Sequence, residues 1–240
     1  MGEQGRVAPA RRRGLADEVA DRVREAIYSG AYPPGAQLRE VELSSALEVS
    51  RGPVREALLR LEREGLVRSA WHRGATVTTL SRQDVAELDS LRGALERLAV
   101  QQVCAQASDE DIAAIEQAAE RMADAPDEHA MVRRDIAFHD AVYAAAAHGR
   151  LQEAWQAIRS QVHLFLLTRI RVSAEGYLAH MPGEHRELAT ALRARDAERA
   201  MALFATHRRH AFEILAEAAD AAPEPDTTAD RTDAAHADTA

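Results

Sequence analysis

The order of periodic segments between residues 15 and 80 constrains the fold of this chain most strongly. Apolar residues recur at helical spacing from Leu15 to Gly30, and again along 40–47 and 51–65. Two short β-prone runs on either side of a Gly turn follow, as in a hairpin. The order of helix, helix, turn, helix and hairpin predicts an N-terminal winged helix-turn-helix over 15–80 with a small β-hairpin wing.

The third of these helices carries the features of a DNA-reading helix at its start. Arg51 and Arg55 are four residues apart, so both project from one face near one end of the helix. Arg is also the side chain best suited to bidentate contact with guanine. Ser50 is expected to cap the helix and to contact a phosphate. Arg73 and Gly74, at the hairpin tip, are placed to reach the minor groove.

The distribution of charge is compatible with a DNA-reading front and an acidic back. The net charge is −9, but residues 1–80 carry 13 Arg against 11 acids (+2) and residues 81–240 carry 17 against 28 (−11). Phosphate binding needs a local basic face, not a basic whole protein. Two arginines on a helix are often only a solvated face, yet their position after a helix and a tight turn favours DNA contact.

After Leu80 the pattern is helical, which predicts an antiparallel all-α bundle over 81–219 and a mostly α fold class. Helices are expected near 82–107, 109–124, 127–147, 150–172, 183–194 and 196–219, with breaks at Pro126, Gly149 and Pro182-Gly183. Two Ser–x–x–Asp runs resemble capping boxes, Ser81 with Asp84 and Ser108 with Asp111. Residues 1–14 are interpreted as a flexible arm and 220–240 as a disordered acidic tail.

Cysteine usage and hydropathy favour a cytoplasmic protein. Cys104 is the only cysteine, so no intramolecular disulfide can form. The Arg11-Arg12-Arg13 run lacks the apolar segment that follows it in a signal peptide. No stretch reaches the roughly 18 apolar residues of a membrane helix. We therefore expect no membrane contact.

Four residues of the predicted bundle form a candidate metal-ligand set. Asp135 and His139 are four residues apart, so they share one helix face. His185 and His207 fall on two other predicted helices. Three imidazoles and one carboxylate from three helices can converge on a divalent transition metal inside a bundle. Chance pairing is the alternative interpretation, because the chain contains 10 His.

Residues 38–67, LREVELSSALEVSRGPVREALLRLEREGLV, resemble the DNA-binding domain of the GntR superfamily of bacterial repressors. The resemblance covers 15–80 and implies DNA contacts by Ser50, Arg51, Arg55 and Gly74. Glu48 departs from the family pattern, because it stands in the turn where Gly is usual. A left-handed backbone there would cost on the order of 1 kcal/mol.

A second departure concerns the preceding helix. Val41 stands where the family's fatty-acid-responsive member carries a base-contacting Arg. Fewer base contacts are therefore expected from this helix. Arg39, two residues earlier, is the candidate to replace that contact in part.

Three runs in the bundle, RRDIAFHDAVYAAA, PGEHRELATALRARDAERA and FATHRRH, resemble the FCD effector domain of the FadR subfamily. The resemblance covers about 85–217. It implies that Asp135, His139, His185 and His207 bind a divalent metal ion, with zinc favoured and nickel or manganese as alternatives. The run SLRGALERLAVQQV matches the domain's opening helix and places Arg92 where it could face the cavity.

Together these features predict a ligand-responsive transcriptional regulator, a repressor that binds a palindromic operator as a homodimer. The family's usual effectors are small organic acids or amino acids; a carboxylate could complete the metal coordination while Arg92 or Arg169 pairs with its other oxygen. One alternative is an HD-like helical metallohydrolase, suggested by the His139-Asp140 pair. Such an enzyme needs a further histidine upstream, and His129 is poorly placed for this role because it lies on the same predicted helix. The other is a dimerisation scaffold whose histidines bind nothing. We predict that the chain is not an enzyme.

Overall fold

The computed structural model describes residues 14–70, 74–174 and 176–221. The N-terminal helices are α1 (Leu15–Tyr28), α2 (Glu40–Ala46) and α3 (Arg51–Arg63). Three strands follow the order β1-β3-β2, all antiparallel: β1 (Gln37–Leu38), β2 (Val67–Ala70) and β3 (Gly74–Val77). The predicted winged helix-turn-helix is confirmed. Strand β1 was not predicted, since two residues are too short to show the alternation of a strand.

Apolar stripes explain how these helices pack. In α3, the predicted inward residues Val54, Leu58 and Leu61 are all buried, and this face packs against α1. The turn between α2 and α3 contains Glu48 at φ 55°, the left-handed conformation expected from its position. Because a side chain at positive φ is strained, this turn is held by the packing of the two helices around it.

The helical half continues through α4 to α9. Their bounds are α4 (Arg82–Gln106), α5 (Asp109–Glu120), α6 (Glu128–Ala145), α7 (Gly149–Val172), α8 (Tyr177–Arg193) and α9 (Ala197–Ala221). A 3-10 turn, Arg121–Asp124, follows α5, so the helix expected over 109–124 is shorter than predicted. Both capping boxes are present: Ser81 accepts from the Asp84 N–H, and Ser108 accepts from the Asp111 N–H.

The predicted break at Pro182-Gly183 is wrong, because α8 begins at Tyr177 and continues through Pro182. A proline removes one backbone donor from a helix, and here packing outweighs that loss. Tyr177, Met181, His185 and Leu188 form one uninterrupted buried stripe across the proline. The sequence interpretation therefore missed the first six residues of this helix.

Helices α4 to α9 pack around one hydrophobic core, with α5 against α6 and α8. Helix α4 packs against α7 and α9, α6 against α7 and α8, and α8 against α9. No helix within the described ranges is both long and apolar enough to cross a membrane. Arg73 and nearly all of the predicted arm and tail lie outside the described residues, apart from Gly14, which precedes α1, and the last two residues of α9.

Candidate metal centre and DNA-reading surface

The four candidate ligands lie together in the interior of the bundle. Helix α6 carries Asp135 and His139, α8 carries His185, and α9 carries His207. One ligand atom from each lies within 4.8 Å of the others. The first three are at most 1% exposed and His207 is 9% exposed. Ligands on opposite sides of a divalent ion lie on the order of 4 Å apart, so the set is slightly wider than a metal-bound one.

Hydrogen bonds on the far side of two imidazoles turn their Nε2 atoms toward this cluster. His185 donates from Nδ1 to the Met181 carbonyl at 2.9 Å, and His207 donates from Nδ1 to Glu184 Oε2 at 2.8 Å. Each bond places the ring proton on Nδ1 and leaves Nε2 as an acceptor. A carbonyl or carboxylate behind an imidazole is the usual outer partner of a metal-ligating histidine.

The interior favours neutral imidazoles, the form that binds metal. Burial lowers the pKa of His139 well below its ordinary value, and Arg92 lowers it further. Burial also lowers the pKa of His185 to about 4, although Asp135 opposes this shift. Burial opposes ionisation of Glu184, but its hydrogen bond with His207 holds the pKa of this carboxyl below the usual range.

Unpaired polar atoms show that the cluster fits a cation. Both carboxylate oxygens of Asp135 and Nε2 of His185 are buried without a hydrogen-bond partner among the described residues. Asp135 Oδ1 lies 3.5 Å from His139 Nε2, and Oδ2 lies 3.6 Å from His185 Nε2. Buried acceptors without a donor are strongly disfavoured. A divalent cation bound by these atoms would remove that cost.

Arg92 makes the contact that complicates this site. Its Nη2 donates to His139 Nε2 at 2.7 Å, and its Nε donates to Glu96 Oε1 at 2.7 Å. Glu96 also accepts from Arg208 Nη1 at 3.0 Å. For His139 to bind a metal through Nε2, the Arg92 contact must break. Sequence reasoning singled out Arg92 but missed Glu96, although the i,i+4 spacing from Arg92 was a signal for the pair.

Arg169, the second candidate for the effector, is buried on α7. It is 4% exposed, and its guanidinium carbon lies 4.4 Å from the centre of the Tyr177 ring. Its Nε and Nη1 have no hydrogen-bond partner among the described residues, and neither does the Tyr177 hydroxyl. Sequence reasoning did not identify Tyr177, because the start of α8 was not recognised.

The solvent side of the cluster lies at His207. A groove of about 400 Å³ between α8 and α9 reaches this residue, and its acidic and imidazole lining residues are Glu184, Glu187, Glu213 and His210. Since the other three ligands are almost fully buried, this groove is the exposed approach to the cluster that the described residues show.

The geometry does not support the hydrolase alternative. Asp140, the second residue of the His139-Asp140 pair, accepts from Trp155 Nε1 at 2.7 Å and from Arg159 Nη2 at 2.6 Å. It is thus paired outside the cluster of candidate ligands. His129 lies against the backbone of Gly30, near the N-terminal half. An H…HD metal site is therefore not formed by these residues.

On the winged helix, the predicted DNA-reading residues lie at the start of α3 and nearby. Arg51 and Arg55 are exposed, and Arg55 Nε donates to Glu40 Oε2 at 2.7 Å. Ser50 is the N-cap residue but makes no capping hydrogen bond, so that expectation is wrong. Pro53 removes one of the two backbone donors that an N-cap side chain can use, because it stands at the third helical position and has no N–H.

The remaining DNA-reading candidates flank this helix. Arg39 is exposed at the N-cap position of α2 and donates to Glu42 Oε1 at 2.9 Å. Gly74 is exposed at φ 75° where β3 begins. A side chain would be strained at that φ. A Cβ there would meet no atom of the described part of the chain within 4 Å, so nothing in that part obstructs a close approach to the Gly74 backbone.

The two halves of the chain meet where α1 ends. The Tyr28 ring stacks on the His163 ring with centroids 3.6 Å apart, and the Tyr28 hydroxyl lies 3.2 Å from Ser160 Oγ. Both partners are on α7. These contacts, together with the connection through 78–81, tie the winged helix to the bundle.

A winged helix-turn-helix joined to a helical bundle defines a DNA-binding transcriptional regulator. Residues 15–77 match the family described as "Bacterial regulatory proteins, gntR family", and residues 87–210 match the FCD domain. The chain therefore belongs to the GntR family of regulators, in the group that carries an FCD domain. This family consists of transcriptional regulators and not enzymes.

Named relatives agree with this assignment. The chain is 32% identical over 77% of its length to a probable D-xylose utilization operon transcriptional repressor of Paenarthrobacter nicotinovorans, covering 81% of that protein. It is 25% identical over 81% of its length to the uncharacterized HTH-type regulator YdhC of Bacillus subtilis, covering 88% of that protein. A crystal structure of a GntR regulator from Rhodococcus sp. RHA1 superposes with a TM-score of 0.73 and 28% identity, over 84% of this chain and 97% of that chain.

Proposed function

We propose that this regulator is a repressor that binds a palindromic operator as a homodimer and responds to a small organic acid or amino acid through a metal ion in its bundle. The observation that carries the proposal is the buried cluster of Asp135, His139, His185 and His207. A cation would satisfy its buried acceptor atoms, which have no hydrogen-bond partner among the described residues. It lies in the same chain as a winged helix with exposed arginines.

The donor set is suited to divalent transition metals. Three imidazoles and one carboxylate suit zinc, and they also suit nickel or manganese. On an octahedral ion, four protein ligands leave one or two coordination positions open to a hard donor such as a carboxylate. Arg92 and Arg169 are proposed to bind the effector. A carboxylate of the effector would accept from the unpaired Nε and Nη1 of Arg169, and from Arg92 Nη2 once a metal ion has displaced it from His139.

The DNA contacts are proposed for the exposed end of α3 and its surroundings. Arg51 and Arg55 would read base edges, while Ser50, Arg39 and the wing at Arg73 and Gly74 would contact the backbone or the minor groove. A homodimer would present two such surfaces to a two-fold symmetric site. Repression is supported by the relative described as a repressor.

Coupling between the halves follows from the connections of α4. This helix carries Arg92 and begins directly after the wing, so the segment 78–82 would act as the hinge. An effector alters DNA affinity only as far as it prefers one arrangement of the halves. We propose that 15–80 and 81–219 act as the two units. We propose that this DNA-binding regulator works in the cytoplasm.

Selection of duplexes from a random DNA library by the full-length, zinc-loaded protein tests the proposal. Enrichment of a two-fold symmetric sequence is expected. Arg51→Ala and Arg55→Ala should abolish binding to the selected site while the protein stays dimeric. Arg63→Ala is the matched control, since Arg63 is an exposed arginine at the other end of α3. Unaltered binding by both test variants would refute the DNA-contact assignment.

A further inference from the structure

Two acidic residues lie among the residues proposed to read DNA. A groove of about 740 Å³ runs between α2, α3 and the wing, and Arg39, Arg55 and Gly74 line it. Glu40 and Glu42 line the same groove. A carboxylate on this surface repels the phosphates of a duplex, so it weakens the electrostatic part of DNA binding that does not depend on sequence. General affinity for DNA therefore does not account for these two acids.

Glu40 joins the two helices of the helix-turn-helix through Arg55. Arg55 Nε on α3 donates to Glu40 Oε2 on α2 at 2.7 Å, across 15 positions of sequence. The two side chains are 62% and 35% exposed, and an ion pair so open to solvent contributes little to stability. Glu42 differs, because its partner Arg39 lies three residues before it, at the N-cap of its own helix. The contact of Glu40 thus restrains an α3 side chain without adding much to the stability of the fold.

The contact leaves the outer edge of the Arg55 guanidinium available to a base. A guanidinium carries five N–H donors in one plane, and in Arg55 only Nε has a hydrogen bond among the described residues. Nη1 and Nη2 remain, and two such donors match the O6 and N7 acceptors of guanine. Because Glu40 already restricts the rotamers of this long side chain, less conformational entropy is lost when it binds a base.

We infer that Glu40 is a positioning residue that sets the base specificity of Arg55. It holds the guanidinium for a guanine, and its negative charge lowers the attraction of Arg55 for phosphates. This inference rests on the proposed contact of Arg55 with base edges. Specificity is the difference between the affinities for the correct and the wrong sequence. Glu40 can therefore raise the specificity while it weakens binding to DNA in general.

Fluorescence-anisotropy titrations of the full-length protein with the duplex selected from the random library test this role. The panel contains every base-pair substitution, made symmetrically in both half-sites, and a scrambled duplex of the same length. Arg55→Ala should lose discrimination at one G·C pair, which locates the contact. Glu40→Ala should lose it at the same pair, from about tenfold or more in the wild type to about twofold or less, while it binds the scrambled duplex more tightly.

Glu56→Ala is the matched control for the change in charge. Glu56 is the exposed neighbour of Arg55 on α3, and no hydrogen bond or ion pair joins the two among the described contacts. Its removal should also tighten binding to the scrambled duplex, but discrimination should stay at the wild-type value. An ordinary surface ion pair would make Glu40→Ala behave in the same way as Glu56→Ala.

Two further variants show whether Glu40 acts through Arg55. In Glu40→Ala/Arg55→Ala, discrimination at the located pair should equal that of Arg55→Ala alone, because the two residues act as a unit. Should Glu40→Ala fail to fold, Glu40→Gln keeps the length of the side chain. It should lower discrimination at the same pair, since a neutral amide is a weaker acceptor for a guanidinium.

The role of Glu40 and the proposed base contact of Arg55 can fail separately. If Arg55→Ala discriminates between base pairs as the wild type does, the proposed base contact of Arg55 is itself wrong. If Arg55→Ala loses discrimination but Glu40→Ala and Glu40→Gln keep it, the base contact stands and the role of Glu40 is overturned. Loss of discrimination by the Glu40 variants at a different base pair would overturn it as well.

Discussion

Arg92 Nη2 donates to His139 Nε2 over 2.7 Å, so an arginine on α4 holds the lone pair of a candidate metal ligand on α6. The guanidinium and a divalent ion would compete for this nitrogen, and their positive charges would repel each other. Metal binding would break the contact and leave the Arg92 Nη2 donor available for an effector carboxylate. The same contact ties the helix that follows the wing to the proposed metal centre.

Removing this competitor should strengthen metal binding. Arg92→Met takes away both the donor and a nearby positive charge, so zinc should bind about tenfold or more tightly in the absence of effector. Competition with a chromogenic chelator measures the affinity. Arg193→Met, on the exposed side of α8, is the control and should match the wild type. Weaker zinc binding by a folded Arg92→Met would contradict the competition.

The carboxylate behind His207 should matter for metal affinity. Glu184→Gln replaces an ionised acceptor at 2.8 Å from Nδ1 with a neutral amide. Loss of such an outer partner typically lowers metal affinity by about 10- to 100-fold. Glu187→Gln is a matched control in the same groove, because no hydrogen bond or ion pair joins Glu187 to His207 among the described contacts. If both variants bind zinc equally, Glu184 has no such role.

A side chain at Gly93 should displace Arg208 from its ion pairs. A Cβ at Gly93 would lie 2.7 Å from the Arg208 guanidinium, which pairs with Asp89 and with the buried Glu96. Gly93→Ala should therefore be less stable to urea than Gly183→Ala by about 2 kcal/mol, since a buried carboxylate loses a partner.

Gly183 provides the reference for that comparison. It also lies inside a helix, and a Cβ there would meet nothing within 4 Å. Alanine should gain up to about 1 kcal/mol at this position from helix propensity. Equal free energies of unfolding for the two variants would show that the contact between a Cβ at Gly93 and Arg208 does not affect stability.

His163 should make the protein sensitive to mild acid. Burial, together with the nearby charges of Arg159, Arg133 and His129, lowers its pKa to about 3. A histidine in the unfolded chain titrates near pH 6.5, so the unfolded state takes up the proton first as the pH falls. The stability from neutral His163 is present above about pH 6.5 and is lost between there and about pH 3, amounting to about 2 kcal/mol by pH 5.

Urea unfolding at pH 7 and pH 5 measures this contribution. His163→Phe keeps a ring to stack on Tyr28 but cannot titrate, so it should lose about 2 kcal/mol less than the wild type between the two pH values. The other buried histidines are common to both proteins and cancel in the comparison. The same loss in both would contradict the assignment to His163.

Features that act locally could be predicted from the sequence. The capping boxes at Ser81 and Ser108 and the left-handed turn at Glu48 depend on a few neighbouring residues, and the structure contains all three. The prediction of a helix break at Pro182 was wrong because it relied on the local signal alone. Its local signal indicates a break, but the buried stripe from Tyr177 to Leu188 continues the helix, and its packing partners are distant in sequence.

In the candidate metal centre too, local spacing could be predicted from the sequence, whereas contacts between distant residues could not. The i,i+4 spacing placed Asp135 and His139 on one face, and the structure brings His185 and His207 to them. The bond from Arg92 to His139 joins residues 47 positions apart on two helices, so spacing could not indicate it. The unpaired donors of Arg169 could not be predicted from the sequence either, because they depend on the absence of acceptors around this side chain in the folded protein.

Elemental analysis of the dialysed full-length protein tests the central claim of a metal centre most directly. The wild type, purified and loaded with zinc, should retain one ion per chain, and the His185→Ala/His207→Ala variant should retain none. His163→Phe, which alters a buried histidine outside the cluster, should retain the wild-type amount. A wild type without bound metal, or a double variant with the wild-type content, would contradict the account.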